Sequence, residues 1–285
     1  MRSPSFLRVV RSVAVVLLGV FVGPPFADGQ PWDLPLTGTP GTPVVLVRVN
    51  GIGPLPFLVD TGSSHTTVTS ALAREIEAPR VAKTLVSTSA GSDWAAVVRI
   101  GQMEVGPVRV TGLLATELPS DRLASELGIA GVLGLDLLGQ HPFTIDFRAR
   151  RLRWGAASPD TFDATLSLDV DGTVWRVLAT HQGRTVWLVP DSAAEGLVLF
   201  NRGQWKDLVY TGGTSGVQSV TAVLPGRAAT LPSLNLGALR FVDQDVVVVN
   251  GSGVDPAHGD ALLPLHLFSR VAFDPVAGLV RLSLH

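Results

Sequence analysis

The two halves of the chain repeat each other in register. Asp60 and Asp191 stand 131 positions apart. Val105-Gly106 and Leu236-Gly237 keep that spacing, and so do Arg109 and Arg240 and the apolar pairs Met103/Leu234, Val108/Leu239 and Val110/Phe241. Farther along, Val132-Leu133-Gly134-Leu135 faces Leu262-Leu263-Pro264-Leu265 at one position fewer, and Asp146 faces Asp274 at three fewer. A drift of a few residues is what insertions and deletions in loops produce, so the pattern reads as an internal duplication. The seam falls in the small-residue and proline stretch from Ala156 to Pro159.

Each half is written in strands. Val44 to Val49, Phe57 to Val59, Val97 to Ile100, Val108 to Val110, Phe143 to Phe147 and Arg151 to Trp154 are short, β-branched or alternating, and separated by Gly, Pro, Asn and Asp. The second half continues with Trp175 to Thr180, Val186 to Val189, Val246 to Val249, Val271 to Phe273 and Val280 to Leu284. Two short stretches, Ser70 to Glu77 and Asp121 to Leu127, read as helices that begin on a capping residue. Many evenly spaced strands predict an all-β, barrel-like or sandwich architecture.

Composition narrows the function classes. Hydrophobic residues make up 46% of the 285 positions and charged residues 16%, which supports a sizeable core and argues against disorder. The net charge of −2, without a Lys/Arg run beyond the N-terminus, gives no basic face for nucleic acid. The chain has no cysteine, which excludes disulfides, thiol chemistry and a lipid-bearing Cys, and the six histidines lack metal-ligand spacing. At the N-terminus Arg2, Arg8 and Arg11 precede an apolar run from Val13 to Val22, then Gly23-Pro24-Pro25 and Ala27. That is the order of a secretory signal. The run is short for a membrane span, which takes about 20 residues. The expected organisation is a signal peptide at 1–27, one lobe at 28–157 and a second at 158–285. The mature protein is expected outside the cytoplasm without stable membrane insertion; an uncleaved N-terminal anchor is the alternative.

One segment carries chemistry. In Phe57-Leu58-Val59-Asp60-Thr61-Gly62-Ser63-Ser64 an apolar strand runs into Asp60, and a Ser/Thr-rich turn then leads to a helix start. This places a carboxylate at the exposed end of a rigid strand, where a catalytic group is well held. Thr61 offers a hydroxyl, and Gly62 lets backbone approach the carboxylate closely. An Asp that merely closes an Asx-turn would explain Asp60 and Thr61, but not the strand before them or the helix start after them.

Together with GVLGLDLL at 131–138, the stretch PFLVDTGSSHTTVT at 56–69 resembles the retropepsin-like and pepsin-like aspartic peptidases. The resemblance is to a duplicated, two-lobed, bacterial type and runs over nearly the whole mature length. It implies two retropepsin-like β-barrel lobes with a cleft between them. Val132, Leu133 and Gly134 match the apolar-apolar-Gly segment that crosses behind the catalytic loop and starts a short helix. The family's chemistry uses two carboxylates that share one proton and activate a water, one from each lobe, with no metal and no organic cofactor.

The second carboxylate implied is Asp191, in VWLVPDSAAEG at 186–196. Ser192 can serve for the family's Thr, because both offer a hydroxyl. Ala193 departs from Gly, Glu195 from Ser or Thr, and Pro264 from the Gly kept at Gly134. Pro190 also removes a backbone donor. Ala193 is harmful if its position needs a positive φ, and Glu195 can raise the pair's affinity for protons if it points inward. Closing hairpins, or flaps, are expected at Val86 to Val98, with Gly91 and Trp94, and at Val209 to Val223, with Tyr210 and Gly212-Gly213. The first has no Tyr, which leans toward the retropepsin style.

The sequence lacks the G-x-S-x-G elbow of serine hydrolases, and His65 beside Ser63 and Ser64 reads as a surface turn residue. TGGTSG at 211–216 lacks the Lys of a phosphate loop, and GVLGLD lacks the third Gly of a dinucleotide fingerprint. The expected protein is an exported, monomeric aspartic endopeptidase acting on peptides or proteins, with Asp60 and Asp191 catalytic. Two alternatives stay open: a peptide-binding or scaffolding protein with a degenerate second lobe, and a homodimer pairing two first lobes.

Overall fold

A computed structural model describes residues 21–22, 32–88, 91–118, 121–155, 158–170, 174–218 and 223–285. Apart from Phe21–Val22, a two-residue strand, the predicted signal segment lies outside the described residues, as do Ala156 and Ala157 of the predicted seam.

Twelve strands build the frame of the site. In the first half they are β1 (Thr42–Val49), β2 (Ile52–Val59), β3 (Thr67–Val68), β4 (Gly91–Val105), β5 (Val108–Glu117) and β6 (Gly131–Leu133). In the second half they are β7 (Arg176–His181), β8 (Arg184–Asp191), β9 (Leu197–Asn201), β10 (Val223–Leu236), β11 (Leu239–Asn250) and β12 (Ala261–Pro264). The first six close a ring in the order β5-β3-β6-β2-β1-β4, with β4 pairing back to β5. The second six follow the same order, β11-β9-β12-β8-β7-β10, with β10 pairing back to β11. Closure removes the exposed edges an open sheet would leave. Alternation along the strands turns Val45, Val47 and Val49 of β1 inward, and Val177 and Ala179 of β7 likewise.

The hairpin turns follow the repeat as well. Gly106 and Gly237, between β4 and β5 and between β10 and β11, take φ of 58° and 60°. Each sits directly on a leucine, Leu34 in the first half and Leu166 in the second.

The two rings stand on a common six-stranded antiparallel sheet. Its order is Trp32–Pro35, Arg151–Trp154, Phe143–Asp146, Arg270–Asp274, Leu279–Ser283 and Ala164–Asp169, three strands flanking each side of its middle. The central pair joins the halves: Phe143 lies opposite Phe273, with ring centroids 4.8 Å apart, and Trp175 packs on both. Burying aromatic rings of this size contributes about 1.5–3 kcal/mol each. Trp154, also buried, donates its Nε1–H to the Leu138 carbonyl at 3.1 Å and so ties this sheet to the first ring.

The helices are short. Ser70–Glu75 begins after Thr69, whose hydroxyl accepts from Leu72 N at 3.1 Å. Arg122–Leu127 starts after Asp121, but Asp121 makes no side-chain cap on its own helix. Its carboxylate accepts instead from Ser70 N (2.9 Å) and Ala71 N (3.2 Å), capping the other helix. The sequence pattern marked Asp121 as a capping residue; packing decided which helix it caps. No helix of the described residues is long and apolar enough to cross a membrane.

Candidate active site

β2 delivers Asp60 and β8 delivers Asp191 to the junction of the two rings. β2 runs parallel to β6, with Val59 opposite Leu133, and Asp60 N donates to the Leu133 carbonyl at 3.1 Å. β8 runs parallel to β12, with Asp191 opposite Pro264. Each carboxylate is then fixed by the turn that follows it: Asp60 Oδ1 accepts from Gly62 N and Asp191 Oδ1 accepts from Ala193 N, both at 2.8 Å.

Four hydrogen bonds lock the two loops together. Thr61 N donates to Ser192 Oγ, and Ser192 N donates to Thr61 Oγ1, both at 3.0 Å. Thr61 Oγ1 donates to the Pro190 carbonyl at 2.8 Å, and Ser192 Oγ donates to the Val59 carbonyl at 2.7 Å. Each hydroxyl therefore accepts from the opposite amide and donates to the carbonyl just before the opposite aspartate. Thr61 is 1% exposed and Ser192 fully buried, so none of these groups can turn to water instead. Ser192 Oγ makes the same two kinds of bond as Thr61 Oγ1, and the carbonyl of Pro190 is itself an acceptor in the lock.

The carboxyls of Asp60 and Asp191 come within hydrogen-bonding reach of each other. Burial lifts the Asp60 carboxyl well above the usual carboxylate range, and the charge of Asp191 lifts it further, against the amides of Gly62 and Ser63. Burial also raises Asp191, against the amides of Ala193 and Ala194. Two desolvated carboxyls this close titrate as a coupled pair, each resisting ionisation of the other.

The two half-sites differ in detail. A Cβ at Gly62 would lie 2.7 Å from both Cγ and Oδ2 of Asp191, so that position needs glycine because of what approaches it. Ala193 has no positive φ, and its methyl packs at the edge of an apolar cluster that includes Val44, Leu58 and Val132 of the first half. The departure from glycine at 193 is thus accommodated. Glu195 is exposed, lies against Gly41, and is not among the groups acting on either aspartate.

The first loop also rests on a cradle. Leu135 N donates to Ser63 O (2.8 Å) and Asp136 N to Ser64 O (3.1 Å) from the start of the short helix Leu135–Leu138. A Cβ at Gly134 would collide with the backbone of His65, which explains the glycine of GVLGLD. Asp136 Oδ1 accepts from Thr66 N (2.9 Å) and Thr66 Oγ1 (2.8 Å). Burial raises the Asp136 carboxyl, and the two Thr66 donors oppose that rise. Asp136 and Thr66 were not singled out in the sequence; an acidic residue two places after the motif glycine was the available signal. His65 is exposed, with Nδ1 2.8 Å from Ser64 Oγ.

The residues expected on flaps fall on two long hairpins. Gly91 opens β4 with φ 135°, opposite Thr88 of the strand Arg80–Thr88. Trp94 is 67% exposed and pairs across that hairpin with Leu85. Tyr210 lies on the strand Val209–Gln218, which pairs with β10, and the Arg227 guanidinium stacks over its ring at 4.0 Å. Among the described residues, Arg80–Thr88 and Val209–Gln218 are the outermost strands of their sheets. Also among the described residues, no group of three or more His, Asp or Glu side chains is placed to hold a metal ion.

No curated protein matches the chain at a significant level. Residues 45–137, which carry most of the first ring, the Asp60 loop and its cradle, match the family model described as aspartyl protease.

Proposed function

We propose that the protein is an aspartic endopeptidase whose catalytic pair is Asp60 and Asp191 of a single chain. The observation that carries this reading is the reciprocal lock between Thr61 and Ser192, which holds two buried carboxyls within reach of each other. With one proton on the pair, the ionised member takes a proton from a water. The water oxygen bonds to the scissile carbonyl carbon, and the protonated member donates to the carbonyl oxygen. The tetrahedral adduct then collapses. Its C–N bond breaks, the amide nitrogen takes a proton from the pair, and a carboxylic acid and an amine leave. The turn amides of Gly62 and Ala193 orient the two carboxylates throughout.

The outer strands Arg80–Thr88 and Val209–Gln218 suit an extended peptide, which would bind through main-chain hydrogen bonds. Equal halves in one ring order support reading the two parts as duplicated lobes. The Arg2 to Ala27 pattern supports export, for which the test is mass spectrometry of the exported protein: a start near residue 28 agrees, and an intact N-terminus contradicts it.

The deciding experiment assays purified protein on a mixed peptide library from acidic to neutral pH, beside Asp60→Asn and Asp191→Asn. Loss of cleavage in both variants is expected. Loss in Asp60→Asn alone would transfer the reading to a pairing of two first halves. Absence of cleavage by the folded wild type at every pH would leave a peptide-binding protein.

A further inference from the structure

The two long hairpins are rooted differently. In the first half the strand Arg80–Thr88 starts with Arg80 opposite Val98 of β4, and Val81 is bulged out before pairing resumes between Ala82 and Val97. At this root Arg80 forks onto Glu117: Nε donates to Oε2 and Nη2 donates to Oε1, both at 2.9 Å. Glu117 ends β5, on the far side of β4, so the guanidinium reaches across the strand between them. The Glu117 side chain is buried and that of Arg80 is exposed.

Glu117 is also tied to the segment that follows the Asp60 turn. It lies opposite Val68 in the parallel pairing of β5 with β3. On either side of it, Thr116 N donates to Thr66 O at 3.0 Å and Leu118 N donates to Val68 O at 2.8 Å. The root of the first hairpin is thereby fastened to the short strand that leaves the catalytic turn. A two-pronged fork fixes direction as well as distance, which a single exposed ion pair does not. The hydrogen bonds from Arg80 hold the Glu117 carboxyl below the usual glutamate range, against the pull of burial.

The second half has no acid at the matching place. The register of 131 puts Val248 where Glu117 stands, and Val248 lies opposite Leu199 as Glu117 lies opposite Val68. The residue opposite Ala229, the counterpart of Val98, is Tyr210. A valine and a tyrosine cannot form an ion pair. Tyr210 lies instead under the Arg227 guanidinium, which joins two strands of the same hairpin.

We propose that Arg80 and Glu117 are positioning residues for peptide binding: their fork clasps the root of the first hairpin to the strand that follows the Asp60 turn, and so sets where the outer edge Arg80–Thr88 presents its main-chain groups to a substrate. This rests on the reading of the protein as a peptidase that takes an extended peptide.

The test compares wild type with Arg80→Ala, Glu117→Gln and the double variant in two readouts. The first is amide hydrogen exchange, which needs no cleavage. In each single variant the amides of Arg80–Thr88 are expected to exchange about fivefold faster or more, while those of Val209–Gln218 stay within about twofold. The second is peptide cleavage. Each single variant is expected to raise KM about threefold or more with kcat changed less than about twofold, because a loosened edge must be ordered when the peptide binds. The double variant is expected to go no further than the singles in either readout, since the two side chains make one contact. Unchanged Arg80–Thr88 amides in a folded Arg80→Ala overturn the proposal, and so does an equal acceleration in both hairpins, which would mean general loosening. Additive effects in the double variant also overturn it, as does a fall in kcat with KM unchanged. If the wild type cleaves nothing, the peptidase reading falls, and the exchange comparison still decides whether the fork holds the hairpin.

Discussion

The Asp60 and Asp191 loops do one geometric job with different parts. Both end a strand that runs parallel to a short partner, both turn an amide back onto the aspartate, and both give a hydroxyl to the shared lock. They diverge one residue later. The first loop carries Gly62 and rests on backbone donors and Asp136. The second carries Ala193 and lies against Gly41. The elements at the junction are matched, and the elements supporting each loop from outside are not. Local support can drift as long as the pair of loops closes on itself, because the lock is the part with no water to fall back on.

The largest expected effect tests whether the halves are equal partners. Asp60→Asn and Asp191→Asn should each cut kcat about 10²–10⁴-fold on peptides, the range removed with a general acid or base. Unequal losses, with Asp191→Asn near wild type, would break the comparison at its root.

Next in size is the pair Gly62→Ala and Ala193→Gly. The first pushes a methyl into the Asp191 carboxylate and should lower kcat on the order of a hundredfold. The second removes a methyl that sits in apolar contact and should change kcat less than about threefold. Similar losses in both would show that the half-sites are more alike than their geometry indicates.

Ser192→Ala and Thr61→Ala test the lock. Each leaves a buried amide and a buried carbonyl without a partner and should cost about 1–3 kcal/mol or more in denaturant unfolding. Their double mutant should lose less than the sum, because the two hydroxyls serve one network. Strict additivity would mean that the loops are held independently.

The smallest effect is in stability against pH. Both aspartates have their proton affinity raised by burial. A carboxyl raised in the folded state favours folding while protonated, so its contribution is full below the unfolded pKa and is lost as pH rises through the folded one. Asp60→Asn cannot ionise and should melt a few degrees higher than wild type near neutral pH, with the gap closing in acid. A gap that widens in acid would contradict the shared-proton reading.

Much of the fold was legible in the chain. Strands such as Arg151–Trp154 and Phe143–Asp146 stand where alternation and flanking turn residues put them. The spacing of 131 pairs Thr61 with Ser192, which are hydrogen-bonded, and Gly106 with Gly237, which share a positive φ. Other features were hidden. Asp121 looks like the cap of its own helix and caps Ser70–Glu75. Ala193 looks like damage and is accommodated by Val44, Leu58 and Val132 from the other half.

The division follows the range of the forces involved. Strand alternation, turn glycines and the placement of Asp60 at a strand end come from preferences acting over a few residues, and these the chain carries in its local order. Why Gly62 must be glycine, which groups Thr61 and Ser192 bind, and what steadies the Asp191 loop depend on atoms far away in the chain, more than a hundred positions for the lock. Those contacts exist once two rings close and share a sheet, and before that the sequence holds the groups without their distances.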